Sequence, residues 1–552
     1  MYQKLLILII LLSPQICLGA VYRVGQGEKY PTFADFHAAV TPTAGDVVDG
    51  GGQTFFEEIV VSGSGKAGHP ITYQNFKVVG ASILASWSGP VGNAEFSIAI
   101  PKDVMSGNDV DIFIKDGVIV NRAADNAQGA LRAGYWTKNT ASKRIYYKPD
   151  DGMAHIFEAG RGNLVRIDGH DYINVKNCSI YGGTNGVRSN TTKVDKVYGL
   201  EITGCTIANF YGHGVQIYSS DGTKVENNTF SYCQKGGAKM GGLIGLLSQG
   251  VTADNATVNN NRFYRNGWAH VDYDSEEHVI DVMPFSISPI ITNNVITESG
   301  YLGGQTYAES LSAGTCISVD GVDNFKISDN YLSDNFNGGI VFGPDTNHAG
   351  RVGLISRNVF NHNGLAKVND GSRSNKLRMI SSKNDIGFAV DIDVSIQNNT
   401  FYNNQGNVGN FNNGAANIFL SGASELSGIA VKDNLHFNNA NKADFRVYSE
   451  HSKISFTANN NLYYRNGGED YLAIGNAATT KLFPLSNNFA AFKAAVGSVN
   501  DINVNPLFVS TSDLHLAANS PARFGGSNGG AIGAYEYADH FAPGVPVGIA
   551  IY

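Results

Sequence analysis

The sequence predicts an all-β chain wound as a parallel β-helix solenoid, with a capping helix at its N-terminal end. Three observations carry this: a four-residue corner recurs ten times, short alternating strands flank the corners, and no long helical pattern interrupts them. Composition agrees, because 65 glycines, only 15 prolines and 11% aromatic residues suit a turn-rich chain with ample apolar surface. A length prior would divide 552 residues into three or four domains, but a repeat that grows along one axis escapes it.

Taken in order, residues 1–20 read as an export signal. Lys4 precedes the apolar run Leu5 to Leu12, and Ser13-Pro14 and the small pair Gly19-Ala20 follow, a pattern too short to span a bilayer. Cleavage after Gly19 or Ala20 is expected, giving a secreted or periplasmic chain, with the cell surface as a further destination. The formal net charge of −8 becomes more negative by one when Lys4 leaves, which argues against nucleic acid as a partner. No other segment reaches transmembrane length. Cys178, Cys205, Cys233 and Cys316 remain, too few for a disulfide framework, and in-register stacking of Cys178 on Cys205 favours two buried thiols.

Residues 21–160 form an N-terminal cap and first coils with irregular insertions. Pro31 to Val40 predicts an amphipathic helix with Thr32 as N-cap and Asp35 three residues on. Glu58-Ile59-Val60-Val61 and Pro70-Ile71-Thr72-Tyr73 read as a strand pair across a Gly/Ser turn. Residues 80–160 are less regular.

Residues 161–480 make the main solenoid. The corners begin at Asn177-Cys178-Ser179-Ile180 and continue through Asn228, Asn261, Asn294, Asn330, Asn358, Asn399 and Asn434 to Asn460-Asn461-Leu462-Tyr463. Successive corners are 27, 23, 33, 33, 36, 28, 41, 35 and 27 residues apart, so the corner is fixed and the arms vary. Asparagine suits this place because it tolerates left-handed backbone and its amide can bond to the coil above and below. A β-propeller also repeats, but with more even blades. Residues 481–552 close the chain, with an amphipathic segment from Phe489 to Val496 and the runs NPLFV, DLHL, NSPA and GAIGAYE.

Those closing runs, together with GDVVDGGGQTFFEEIVV and HPITYQ near the other end, resemble the ends of secreted bacterial right-handed parallel β-helix proteins, a group that includes many polysaccharide lyases. The resemblance spans the chain after its leader and its motifs are architectural. It implies right-handed winding and a groove beside a parallel sheet suited to a repeating polymer, with a polysaccharide as substrate. A monomer is expected.

The longest arms place the groove between about residues 231 and 380. Lys235 and Lys239 lie in a glycine-rich loop, and the next arm carries His270, Asp272, Tyr273, Asp274, Glu276, Glu277, His278 and Asp281. Tyr301 and Tyr307, then Lys367, Arg373 and Arg378, are candidate substrate-binding residues. A mixture of cations and carboxylates suits β-elimination on a uronate polymer, which needs its carboxylate neutralised and a base for the C5 proton. Lys239 or His278 is the expected base and Tyr273 the acid, with Lys235 and His270 beside them. Ca²⁺ is an expected cofactor, drawn from Asp272, Asp274, Glu276, Glu277 and Asp281 as oxygen ligands. A C5-epimerase, a glycoside hydrolase and a non-catalytic glycan-binding or adhesion protein are the alternatives on the same scaffold. An acidic run is more often a solvated loop than a metal site, and His213 in Gly212-His213-Gly214 reads as a turn residue.

Overall fold

The computed structural model describes residues 19–535 except 92–93, 100–111, 117, 124–125, 140, 152–154, 161, 190–195, 241–250, 268–277, 301–314, 336–338, 344–351, 364–376, 381–389, 405–415, 422–425, 440–442, 449–453, 465–470 and 475–480. The chain winds through three long sheets of 13, 12 and 13 strands. One coil shows the plan: Glu201–Thr203 lies in the first sheet, Thr206–Phe210 in the second and His213–Ile217 in the third. Strands pair in parallel with their equivalents one coil on, as Val215 does with Ala238 and Ala238 with Ile280, until Lys481–Pro484 closes the third sheet antiparallel to Tyr471–Ile474. The expected parallel solenoid is therefore observed.

Alternation along each strand builds the core. In the third sheet Val187, Val215, Ala238, Ile280 and Ile317 all point inward and are fully buried. Because coils repeat at the interstrand spacing of about 4.8 Å, like side chains stack. Phe230 and Phe263 lie parallel with centroids 4.7 Å apart, and Phe360, Phe401, His436 and Tyr463 form a column at 4.8 Å intervals.

His436 in that column is fully buried, and burial pushes its imidazole down to about 3. The sign follows directly. The unfolded chain binds a proton below about pH 6.5 while the native ring refuses it, so stability falls as pH drops from there toward 3, by up to about 1.4 kcal/mol per pH unit. Replacing His436 by Phe keeps a ring in the stack and should flatten the acid limb by about one proton. Urea midpoints at pH 7, 6 and 5 check this, and an unchanged slope would refute it.

Each corner divides its work between two residues. The first, Asn177, Asn227, Asn260, Asn293, Asp329, Arg357, Asn398, Asp433 or Asn460, takes positive φ between 53° and 61°. The second is buried and hydrogen-bonds along the axis. Asn261, Asn294, Asn330, Asn358, Asn399, Asn434 and Asn461 form one chain in which each amide oxygen accepts from the preceding coil, as Asn294 N and Nδ2 donate to Asn330 Oδ1 at 3.0 and 2.9 Å. A second ladder, unforeseen from sequence, runs along the next corner through Asn266, Ser299, Asn335, Asn363, Asn404 and Asn439. Cys178 and Cys205 are buried thiols, as the stacking argument favours, and Cys233 and Cys316 are buried thiols as well.

Both ends are capped by helices. Phe33–Ala39 begins at Thr32, whose hydroxyl oxygen accepts from Asp35 N at 3.0 Å, and buries Phe33 and Phe36 on the first coil. Leu485–Val496 starts four residues before the predicted segment and packs Phe492 on Tyr463 at 5.8 Å. Two readings need correction. Ile59–Val60 and Ile71–Gln74 are not partners: the first joins the third sheet and the second the first sheet, because the chain turns a corner between them. The irregular stretch after residue 80 forms a four-stranded and a five-stranded sheet, mostly antiparallel, around Phe113, Trp136, Tyr147 and Phe157. This insertion docks on the second sheet through Ala81 and Ile114 against Tyr232 and its neighbours Tyr181, Tyr211 and Tyr264. The C-terminal segment covers the far end of the same sheet, with Leu516 and Ile532 against Leu435 and Leu462. With the second sheet clad at both ends, the outer face of the third carries Arg166, Arg188, Lys239 and Asp281 at aligned register positions.

Candidate functional site

Strand register sets the site. Inward-facing Val187, Val215, Ala238, Ile280 and Ile317 are each followed by an outward position, and these align as one column: Arg166, Arg188, Gln216, Lys239, Asp281, Ser318, Val341 and Arg378. Lys239 Nζ lies 3.1 Å from Asp281 Oδ2, with both side chains largely shielded from solvent at 15% and 10% exposure. Burial alone would raise the Asp281 carboxyl, but the Lys239 charge and hydrogen bonds from Lys239 and the Ser318 hydroxyl hold it below the usual carboxylate range. A shielded carboxylate contact favours the ammonium form of Lys239. This side chain is therefore suited first to presenting positive charge.

Cations converge from neighbouring coils. Arg188 donates to the Tyr218 hydroxyl at 3.1 Å and to Asn163 Oδ1 at 3.4 Å, and its guanidinium lies 5.4 Å from the Tyr218 ring centroid. Lys235 sits at the second corner, with its ammonium 5.9 Å from the Tyr211 ring centroid. Beneath these groups lies His213, which is not a turn residue but opens the strand His213–Ile217 and is 4% exposed. Its imidazole is held well below its ordinary range, first by burial and then by the charges of Lys239, Lys235 and Arg188. Gly236 has φ 142°, and a Cβ there would stand 2.1 Å from the His278 carbonyl oxygen and 3.4 Å from His213 Cδ2. Only glycine lets these two coils close over the histidine.

His278 is buried too. Thr315 N donates to its Nδ1 at 3.0 Å, and a backbone N–H can only donate, so the neutral ring carries its proton on Nε2. In that tautomer the ring offers a donor, not a lone pair, to anything facing Nε2.

Of the residues expected from sequence, Lys235, Lys239, His278 and Asp281 come together around His213. Arg378 shares the column three coils beyond Asp281. His270, Asp272, Tyr273, Asp274, Glu276, Glu277, Tyr301, Tyr307, Lys367 and Arg373 lie outside the described residues. Among the described residues no three His, Cys, Asp or Glu side chains group as a metal site, and Asp281 is engaged with Lys239. Sequence reasoning passed over Arg188 and Gln216. Both stand ten or eleven residues after a corner, at Cys178 and Cys205, as Lys239 does after Asn228, so counting from the corner would have found them.

Residues 154–315 match the family model described as a right handed beta helix region. The solenoid is a right-handed parallel β-helix. Among curated proteins no relative matches. Solved structures similar to this β-helix include XylC in complex with xylose, at 13% identity and TM-score 0.42, covering 84% of this chain and 76% of that one. They also include the pectate lyase Pel9A, at 15% identity and TM-score 0.38, covering 95% and 98%. An alginate lyase from Paenibacillus sp. str. FPU-7 is similar at 13% identity and TM-score 0.32, covering 83% and 97%. At such identities and TM-scores these likenesses carry no argument about this chain, and function rests on the site itself.

Proposed function

We propose that this β-helix is an exported lyase that cleaves a uronate-containing polysaccharide by β-elimination. The observation that carries the reading is the convergence of Arg188, Lys235 and Lys239 on one outer face of a chain whose net charge is −8. An anionic polymer is repelled by the chain as a whole and attracted to this face. Its strands repeat every 4.8 Å or so, which suits a repeating ligand laid along the axis.

β-Elimination makes the C5 proton acidic by neutralising the neighbouring carboxylate, and the enolate-like charge that develops must be met by fixed cations. Lys239 takes this role, steadied by Asp281, with Arg188 and Lys235 holding adjacent carboxylates. His278, as a donor at Nε2, adds to the same stabilisation. The proton acceptor then comes from the arm that leads into His278, where His270 and Tyr273 are the candidates. A calcium ion held by Asp272, Asp274, Glu276 and Glu277 is a second possible source of neutralisation.

The test is incubation of the processed chain with alginate, pectate and glycosaminoglycans, following ultraviolet absorbance from unsaturated ends. Signal on at least one uronate is expected, and none on any, with or without Ca²⁺, overturns the reading. Neutralisation by side chains predicts that EDTA leaves the rate within about twofold, since the charge is supplied by the protein. Loss of activity in EDTA that calcium restores would move the role to the arm carboxylates.

A further inference from the structure

The first coil holds a buried carboxylate with no cationic partner among the described residues. Asp46 is 4% exposed. Its Oδ2 accepts from Thr43 N at 2.7 Å and from the Thr43 hydroxyl at 3.1 Å, and its Oδ1 accepts from Ala20 N at 2.7 Å. Buried carboxylates are ordinarily matched by a cation, because hydrogen bonds to neutral groups recover only part of the lost hydration. The donor to Oδ1 is the backbone nitrogen of Ala20, at the end of the leader-like segment.

We propose that an export peptidase hydrolyses the Gly19–Ala20 bond and that the α-ammonium so formed on Ala20 pairs with Asp46. Water is the co-reactant: its hydroxyl goes to the Gly19 carbonyl carbon, and its remaining proton goes to the Ala20 nitrogen as the C–N bond breaks. The new amine gains a second proton from solvent at neutral pH. An amide hydrogen bond is thereby converted into an ion pair on the same two atoms, and the buried charge acquires its counter-ion.

The surroundings favour this bond. Val47 N donates to Ala20 O at 2.8 Å and Val21–Arg23 pairs with Val47–Asp49, so the chain is fixed from Ala20 onward. Gly19 supplies the small residue that export peptidases require before the cut. Cleavage after Ala20 would discard the nitrogen that faces Asp46. Of the two junctions open from sequence, the geometry points to the first.

The experiment uses the full chain secreted by a bacterial host with a general export pathway. Intact mass and N-terminal sequencing are expected to show a mature chain beginning at Ala20; a chain beginning at Val21 or later, or one retaining residue 19, overturns the assignment. A pulse of amine-acylating reagent at pH 7 then compares the α-amine of the folded wild type with that of Asp46→Asn. Labelling of the wild type should be at least about tenfold slower, the equivalent of one pKa unit. Equal rates refute the ion pair. If Asp46→Asn does not fold, urea-unfolded wild type serves as the unprotected reference, with the same two outcomes.

Discussion

Lys239→Ala should lower the rate of uronate cleavage by at least about 100-fold, the usual effect of removing one preorganised group from the charge that develops in a transition state. Lys239→Arg is the more informative variant. Arginine keeps the charge and stays ionised at every accessible pH, so a neutraliser tolerates it and a proton acceptor does not. Retention within about tenfold of wild type is expected for Lys239→Arg, with Lys239→Met as inactive as Lys239→Ala. Equal inactivity of the arginine and alanine variants would show that Lys239 takes the proton and would overturn the division of roles proposed above. Steady-state rates on the preferred polymer, alongside urea midpoints to confirm folding, decide between them.

Asn358→Ala should destabilise the scaffold severely, as should alanine at its equivalents along the ladder. Asn358 Oδ1 accepts from Asn330 N at 3.1 Å and Asn330 Nδ2 at 2.9 Å, while its own Nδ2 reaches Ile327 O at 3.0 Å and Asn399 Oδ1 at 3.1 Å. Alanine leaves the Asn330 N–H and the Ile327 carbonyl buried without these partners. At about 1–3 kcal/mol for each of the two orphaned groups the loss is roughly 2–6 kcal/mol, a large part of a domain's stability. Because a solenoid can open coil by coil, the local readout is hydrogen exchange at the Asn330 amide, expected to accelerate by at least about 100-fold. A change of less than about 1 kcal/mol would show that the ladder matters less than its geometry implies.

The solenoid was legible because its signal is local and repeated: the Asn-containing corners, the alternating strands and the Thr32 cap each depend on a few adjacent residues. The second ladder was missed although its signal is just as local: Asn266, Asn335, Asn363, Asn404 and Asn439 each stand five residues after a corner asparagine, and Ser299 holds the same place, so the serine and the pull of the variable arms hid a constant spacing. The insertion at 81–160 hid its order for a different reason. Its strands pair antiparallel across distant segments, as Arg144–Lys148 does with Glu95–Ala99 and Phe157–Gly160 with Ile112–Lys115. At the site, Lys235, Lys239, His278 and Asp281 were visible as a dense mixture of charges on neighbouring arms. Arg188 and Gln216 were missed because nothing around them in sequence is charged or dense; what places them beside Lys239 is a shared rung position. His213 was misread for the same cause, since Gly212 and Gly214 suggest a turn while the strand places the ring under three cations.

The asparagine ladder has a direction, and its last member acts as punctuation. Asn461 N and Nδ2 both donate to Asp501 Oδ1, at 2.8 and 3.2 Å, and burial pushes the Asp501 carboxyl up. Every earlier member passes on what it receives: it accepts from the coil before and donates to the coil after. A carboxylate accepts and has no amide to pass on. The same change of one atom, nitrogen to oxygen, that would break the message in mid-sequence ends it cleanly here, so the number of coils is written into side-chain chemistry as well as into the capping helix that follows the last strand.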